Sequence, residues 1–371
     1  MNAPLNPRSL NADGVAIPSL EEVRLSIKQH RPLDQADLTG RNLSELDLRS
    51  GVFHKVDFSG AVLNTDYLEG ASLVNCNLQG CRLVGRSLQR VSFTQCDLRT
   101  SRWQIEQIQE CSFTKCEMSA VHWQNLRLEK CHLLQNNLQA ARFVGLNAEA
   151  TVLVENNIAA ARFIDGSYLN IAWTGSDFRQ SVFKIKRLEQ VAFVDCIIVG
   201  WQMSGAHLVR CNFSQSALEL VEFRAADLRQ CLFVKATINE CGFKQAQLEQ
   251  SLFCDAIVIG ADFSKSNLNS SNFAKARIQG VNFADAQLED ASFEQACIEE
   301  SSFMRVRMDR AKFAHGEISA CDFTAADAAY LDTHELKVSA TRESVFAASQ
   351  PMPEPAGRGQ AESLFSQRGV L

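Results

Sequence analysis

Every fifth residue from Leu33 to Ala328 is an apolar core residue, and the phase never slips. Among these sixty centres only Ala148 and Ala328 are not Leu, Ile, Val, Met, Phe, Trp or Tyr. Two residues ahead of each centre lies a second marked position. Between 36 and 326 there are fifty-nine of these slots, and forty-seven hold Ala, Cys, Ser, Val, Thr or Gly. A period of five matches neither the 3.6 of a helix nor the 2.0 of a strand. It describes a turn-like unit repeated along a solenoid, with one large and one small side chain turned inward per unit.

Runs such as Ala36-Asp37-Leu38-Thr39-Gly40, Ala226-Asp227-Leu228-Arg229-Gln230 and Ala261-Asp262-Phe263-Ser264-Lys265 follow an A(D/N)LXX pattern. On these units the chain resembles the bacterial pentapeptide-repeat family. The resemblance implies an all-β fold: a right-handed quadrilateral β-helix with four pentapeptides per coil. About fifteen coils would make a rod roughly 70 Å long at ~4.8 Å per coil. It implies no single activity, because such folds host unrelated functions.

The expected organisation follows the repeat. Residues 1–18 read as a mobile N-terminal segment rich in Asn and Pro. Residues 19–32 read as a capping helix, since Ser19 and Glu22 have the spacing of a capping box and Pro32 resists continuation. The β-helix spans 33–330. Ala325–Tyr330 and 341–348 are expected to be short helices covering the last coil. Residues 331–371 form a C-terminal cap and a flexible tail with Pro351, Pro353 and Pro355. The core divides by composition: from Phe183 to Phe323 the centres ending in 3 are Phe in fourteen of fifteen cases, whereas the N-terminal half is mixed.

Net charge is −6, and all of it lies within 33–328, where 35 Asp and Glu outnumber 29 Lys and Arg. That balance argues against direct nucleic-acid binding, which needs a basic footprint. No segment is apolar for long enough to suggest a membrane span, and the N-terminus lacks a signal-peptide pattern. A cytoplasmic protein is expected. Thirteen cysteines could suggest metal or disulfide chemistry, but eleven occupy the small inward slot, where Cys substitutes for Ala. Only Cys254 and Cys297 fall outside it.

Sorting the slots by side of the rod exposes one exception. Three sides hold small residues nearly throughout. The fourth begins Leu46, Asp66, Arg86, Glu106, Leu126, Leu146, Gly166, Lys186, and only then returns to Ala206, Ala226 and Ala246. A charge cannot face a dry core without a partner. These residues are therefore expected to rotate outward or to sit in a widened corner, with Asp66, Arg86 and Glu106 stacked in alternating sign. Leu46, Asp66, Arg86, Glu106, Leu126, Leu146 and Lys186 make up the candidate interaction face. A second candidate is the acidic run Asp285, Glu289, Asp290, Glu294, Glu299 and Glu300.

No nucleotide-binding, metalloprotease, hydrolase or CxxC motif is present, the histidines are scattered, and a thin rod offers no deep pocket. No enzymatic activity, cofactor or metal site is expected. Residues 31–48 resemble the start of pentapeptide tails on accessory proteins of type VI secretion clusters, including a Leu in the position of Leu46. That implies a protein–protein scaffold, with a secretion spike component or a toxic effector as partner. Other family members mimic DNA and bind DNA gyrase, usually as dimers joined through C-terminal elements. The acidic run fits that alternative, and the many basic residues do not. A third alternative is that the chain is itself a secreted effector.

Overall fold

The structure is a computed structural model that describes residues 9–342 and 345–346. Its body is a β-solenoid of about fifteen coils. Every strand of the solenoid pairs in parallel with the segment twenty residues on, so that Leu33 lies opposite Phe53, Phe113 opposite Leu133 and Ile298 opposite Ile318. The four sides are called A to D in chain order, with centres that begin at Leu33, Leu38, Leu43 and Leu48. A sheet of nine strands covers side A, one of eleven wraps sides C and D, and one of eight covers side B.

The corners are made by the fifth residue of each unit. It adopts a left-handed conformation in most units, as in Lys55 (φ 53°), Gln95 (φ 52°) and Gln215 (φ 61°). Isolated non-glycine residues visit this region at a cost, and here stacking of identical corners holds them there.

Between corners, each unit takes one of two forms. In the first, three residues around the centre form a strand, as Val52–His54 do. In the second, a tight turn closes when the N–H of the next slot residue donates to the carbonyl of the centre. Ala226 N–H to Phe223 O, at 2.9 Å with φ 54° at Ala225, is an example. Positive φ at the third residue is what a type II turn demands.

The choice is written in the residue before the centre. On side B these are Asp37, Asp57, Asn77, Asp97, Glu117, Asn137, Asn157 and Asp177, and the units there are turns. Most of these side chains accept from the N–H two residues on, as Asp57 does from Ser59 at 2.8 Å and Asp177 from Arg179 at 2.9 Å. That local bond stabilises a turn in place of a strand. From Ile197 on, through Ala217, Thr237 and Ile257, side B becomes strand. The other three sides change the opposite way: strands between residues 87 and 194, then turns, with Asn212, Asp262 and Asn272 now preceding the centres of side A or C.

The core follows from the repeat. In the second half the Phe of each side stack one coil apart, Phe253 on Phe273 at 4.5 Å and 2°, and Phe243 on Phe263 at 4.5 Å and 3°. The two columns meet edge to face, Phe253 against Phe263 at 5.8 Å and 86°. Both geometries suit the ring quadrupole. Trp201, a large residue in a small slot, sits where the turn types exchange, stacked on Phe183 at 4.2 Å and edge-on to Phe193.

The ends correct part of the expectation. Helix α1 (Leu20–Lys28) carries the capping box of Ser19 and Glu22, and its Val23 is fully buried against the first coils. Residues 9–18 are not a loose segment. Ser9–Leu10 pairs with Ala16–Ile17, Asn11 donates to the Asp37 carboxylate at 2.8 Å, and Ala16 bridges to Ala36. At the other end Ala325–Tyr330 is not helical. The five-residue rhythm continues, and Lys337–Ser339 adds a last strand to side B. Phe346 then packs edge-on to Phe313 and Phe323. The tail at 349–371 and half of the expected 341–348 helix lie outside the described residues, and the described residues 341, 342, 345 and 346 are not helical.

Candidate interaction surface at the corner between sides C and D

The slot column that breaks the small-residue rule runs along the corner between sides C and D. The structure divides its members into two groups. Asp66, Arg86, Glu106 and Lys186 are exposed. Leu46, Leu126 and Leu146 are buried, at 4 %, 2 % and 3 % exposure, and fill the corner. The three leucines therefore do not belong to an exposed face, because the fifth residues before two of them, Asn125 (φ 52°) and Gly145 (φ 64°), keep the regular corner that turns the slot inward.

Where the slot is charged, the residue one position earlier takes its place. Thr65 and Ile185 are buried at 1 % exposure and Ile105 packs partly buried against the core. None of the three has positive φ. Gly85 precedes Arg86 because a side chain could not: with φ 141°, its Cβ would lie 2.5 Å from Thr65 Oγ1. The signal was present in the sequence as an apolar or small residue at 65, 85, 105 and 185, where other units carry mostly polar fifth residues. It is legible only once the one-residue shift is known. Further on, strand pairing continues through the corner: Arg142–Glu149 and Arg162–Leu169 run unbroken across it, with Leu146 still turned inward. Gly166 there permits contact that any side chain would block, since its Cβ would be 2.1 Å from Leu146 O.

Asp66 has a structural task. Its carboxylate accepts from the N–H groups of Arg86 (3.1 Å) and Ser87 (3.2 Å) one coil on. No ion pair among the described residues joins Asp66, Arg86 and Glu106, so the alternating signs do not form a side-chain ladder. Arg86, Glu106 and Lys186 are left as outward charges.

The polar slots elsewhere serve the backbone. Strand-type units leave inward-facing carbonyls and N–H groups that turn-type units pair internally, and an unpaired buried group costs about 1–3 kcal/mol. Asn136 illustrates the remedy. Its Oδ1 accepts from Cys116 N–H at 2.9 Å, and its Nδ2 donates to Phe113 O at 2.9 Å and to Asn156 Oδ1 at 3.0 Å. Cysteines do the same more weakly. Cys76, Cys96 and Cys116 each direct the thiol at two carbonyls, two and twenty-three residues back. Eleven cysteines are buried, while Cys254 and Cys297 are part-exposed. Burial pushes the thiols of Cys81, Cys111 and Cys241 up to about 12 and those of Cys131 and Cys196 up to about 11. Such burial disfavours the thiolate that nucleophilic chemistry requires.

The acidic run is not one patch. Its sixteen positions cover most of a coil, so its members point to different sides. Several are matched to cations: Asp285 to Arg305 and Asp290 to Arg310, both at 2.7 Å, and Glu294 to Lys312 at 3.8 Å. Hydrogen bonds from these arginines hold the Asp285 and Asp290 carboxyls below their ordinary range. Surface depressions are shallow. One of about 350 Å³ on side B is lined by Asn156, Ile158, Asp177 and Arg179, a polar hollow without a group set to react. No helix among the described residues is long and apolar enough to cross a membrane.

Comparison with known proteins agrees with this architecture. Family models described as pentapeptide repeats match residues 33–64 and 67–102, and one described as a pentapeptide repeat region matches 206–283. No curated protein matches the sequence. Among solved structures, the chain is similar to a trypsin-treated form of QnrB1, a plasmid-mediated fluoroquinolone resistance protein. Identity is 17 % over 62 % of this chain and 96 % of that one, with a TM-score of 0.37. It is similar to HetL, a pentapeptide repeat protein involved in heterocyst differentiation regulation from the cyanobacterium Nostoc sp. strain PCC 7120. There identity is 13 % over 74 % and 86 % of the two chains, with a TM-score of 0.29. A pentapeptide repeat protein of the Arabidopsis thaliana thylakoid lumen shares 30 % identity over 29 % and 66 %, with a TM-score of 0.18. The matched segments carry pentapeptide repeats, and an unbroken twenty-residue register runs through and between them.

Proposed function

We propose that this protein is a non-enzymatic interaction scaffold that docks a protein partner along the C–D corner of its first half. One observation carries the reading. There the chain departs from its own inward rule, and the departure places Arg86, Glu106 and Lys186 outward without ion-pair partners among the described residues. A corner that served packing alone would not need charges. The remainder of the rod is regular enough to act as a ruler, since each coil advances by one strand spacing of about 4.8 Å.

The partner class proposed is a component of a type VI secretion spike or an effector awaiting loading, supported by the resemblance of residues 31–48 to tails of such accessory proteins. The chain acts in this reading within the cytoplasm. A DNA mimic that binds DNA gyrase is the rival. The rod shape favours it, while pairing of Asp285, Asp290 and Glu294 with cations weakens the sustained negative field a phosphate mimic needs.

The test is capture from the native host with the wild-type chain and with R86E/E106K/K186E. Asp66 is left intact because it holds backbone groups of the next coil. Recovery of secretion components by the wild type and their loss from the variant would support the reading. A folded variant that retains every partner would move the docking surface elsewhere. Inhibition of gyrase supercoiling at micromolar protein would replace the scaffold reading with mimicry.

A further inference from the structure

His315, His334 and Glu335 bring one nitrogen or oxygen atom each within 4.8 Å of one another, the one such group found among the described residues. Their meeting is a product of the coil period. His315 and Glu335 are fifth residues of successive turn-type units on side A, both left-handed, at φ 58° and 53°. They therefore stand at the same corner one coil apart. The His315 N–H donates to the His334 carbonyl at 2.7 Å, which fixes the two backbones in register. The side chains converge from that base: His315 Nδ1 lies 2.9 Å from Glu335 Oε2, and His334 Nε2 lies 3.8 Å from Glu335 Oε1. The two imidazoles meet edge to face at 5.2 Å and 89°.

We propose that these three side chains form a surface site for a borderline divalent transition metal, with zinc as its natural occupant. Two imidazoles and one carboxylate suit zinc, whose bonds to such ligands are about 2.0–2.2 Å long. Tetrahedral ligands at that radius lie roughly 3.3–3.5 Å apart, between the two donor separations already present. Magnesium and calcium prefer all-oxygen sets and are poor candidates. All three side chains are about half to two-thirds exposed, so their rotamers can close on an ion and a fourth position stays open to water. The site joins the last two described units of side A. Solenoid ends are held by one interface instead of two, so a bound ion would act as a clip across the outermost one and stabilise it by mass action.

The test uses the full-length chain without an affinity tag, stripped of metal and titrated calorimetrically with zinc chloride alone. One zinc per chain is expected. H315A and H334A, both surface changes that should leave the fold intact by circular dichroism, are each expected to weaken binding at least tenfold. E335Q is expected to weaken it less, because the amide keeps one oxygen. Magnesium is not expected to compete. Hydrogen exchange at Lys337–Ser339 should slow on zinc addition in the wild type and not in H315A. The proposal is overturned by absence of zinc binding. It is equally overturned if H315A and H334A bind as the wild type does, or if a C254S/C297S variant loses the binding instead, since the ion would then sit on the part-exposed thiols.

Discussion

The two halves of the rod share one repeat and one core, yet they solve the backbone problem differently. Between residues 87 and 194, three of four sides are strands, and their corners leave inward carbonyls and N–H groups that slot side chains must satisfy. Hence Asn136, Asn156, Thr151 and the thiols of the first half. Beyond residue 197, three of four sides are turns that close on their own carbonyls, as Ser271 N–H does on Leu268 O at 3.0 Å. Ala then suffices in the slots, and Phe fills the centres. The first half can also shift a corner by one residue and expose a charge; the second half shows no such shift. The lesson is that the need for a hydrogen-bonding slot follows the turn type: serines do occur at turn-type corners, where Ser251 and Ser266 donate to the carbonyl of the preceding centre, but Ala serves there as well.

The sharpest test of this contrast lies in a single column. Ala226 is fully buried in the second half, so Ala226→Arg should cost more than about 4 kcal/mol by placing a charge in the core, and unfold several coils. Arg86→Glu, in the same column of the first half, should cost about 1 kcal/mol or less. Denaturant midpoints decide it. Equal destabilisation would mean that the shifted corner is as buried as the regular one.

Next in size is the value of a polar slot. Asn136→Ala removes three hydrogen bonds at a strand-type corner and should cost about 2–4 kcal/mol. Ser271→Ala, whose Oγ is buried without a partner at a turn-type corner, should be neutral to within about 0.5 kcal/mol or slightly stabilising. A reversed ranking would break the link between turn type and slot polarity.

Thiol access should divide the halves as well. Native-state labelling is expected to reach Cys254 and Cys297, both in the second half, and to leave the other eleven cysteines unmodified until the chain is unfolded. Rapid modification of Cys76 or Cys131 would mean that the strand-type corners open readily.

The smallest effect concerns acid. Arg49 and Arg179 hold the neighbouring Asp47 and Asp177 carboxyls below 3.8 within one unit, whereas Arg305 and Arg310 do so for Asp285 and Asp290 across successive coils. A carboxyl depressed in the folded state contributes stability that is complete above its unfolded value and is lost as pH falls through its folded one. Stability should therefore be flat above about pH 5 and fall below about pH 4. In the second half that loss loosens contacts between coils. Hydrogen exchange at low pH should rise there more than around Asp47 or Asp177, and R305A/R310A should abolish the difference.

The sequence by itself determined the repeat, the sides and the inward slots. A period of five admits one packing arrangement, and sixty unbroken units leave no freedom of register. It also held the turn switch in plain view, in the change from Asp177 to Ile197 before the centres of side B, although composition alone placed the boundary by the Phe columns at 183. Tertiary structure decided the rest. Whether Leu126 or Glu106 faces inward depends on the φ of the residue before it, which neighbouring coils set. The acidic run dispersed around a coil because a contiguous stretch in a solenoid circles the axis. His315 and Glu335 met for the complementary reason: residues twenty apart stack at one corner, and only the closed coil brings them within bonding distance of a shared ion.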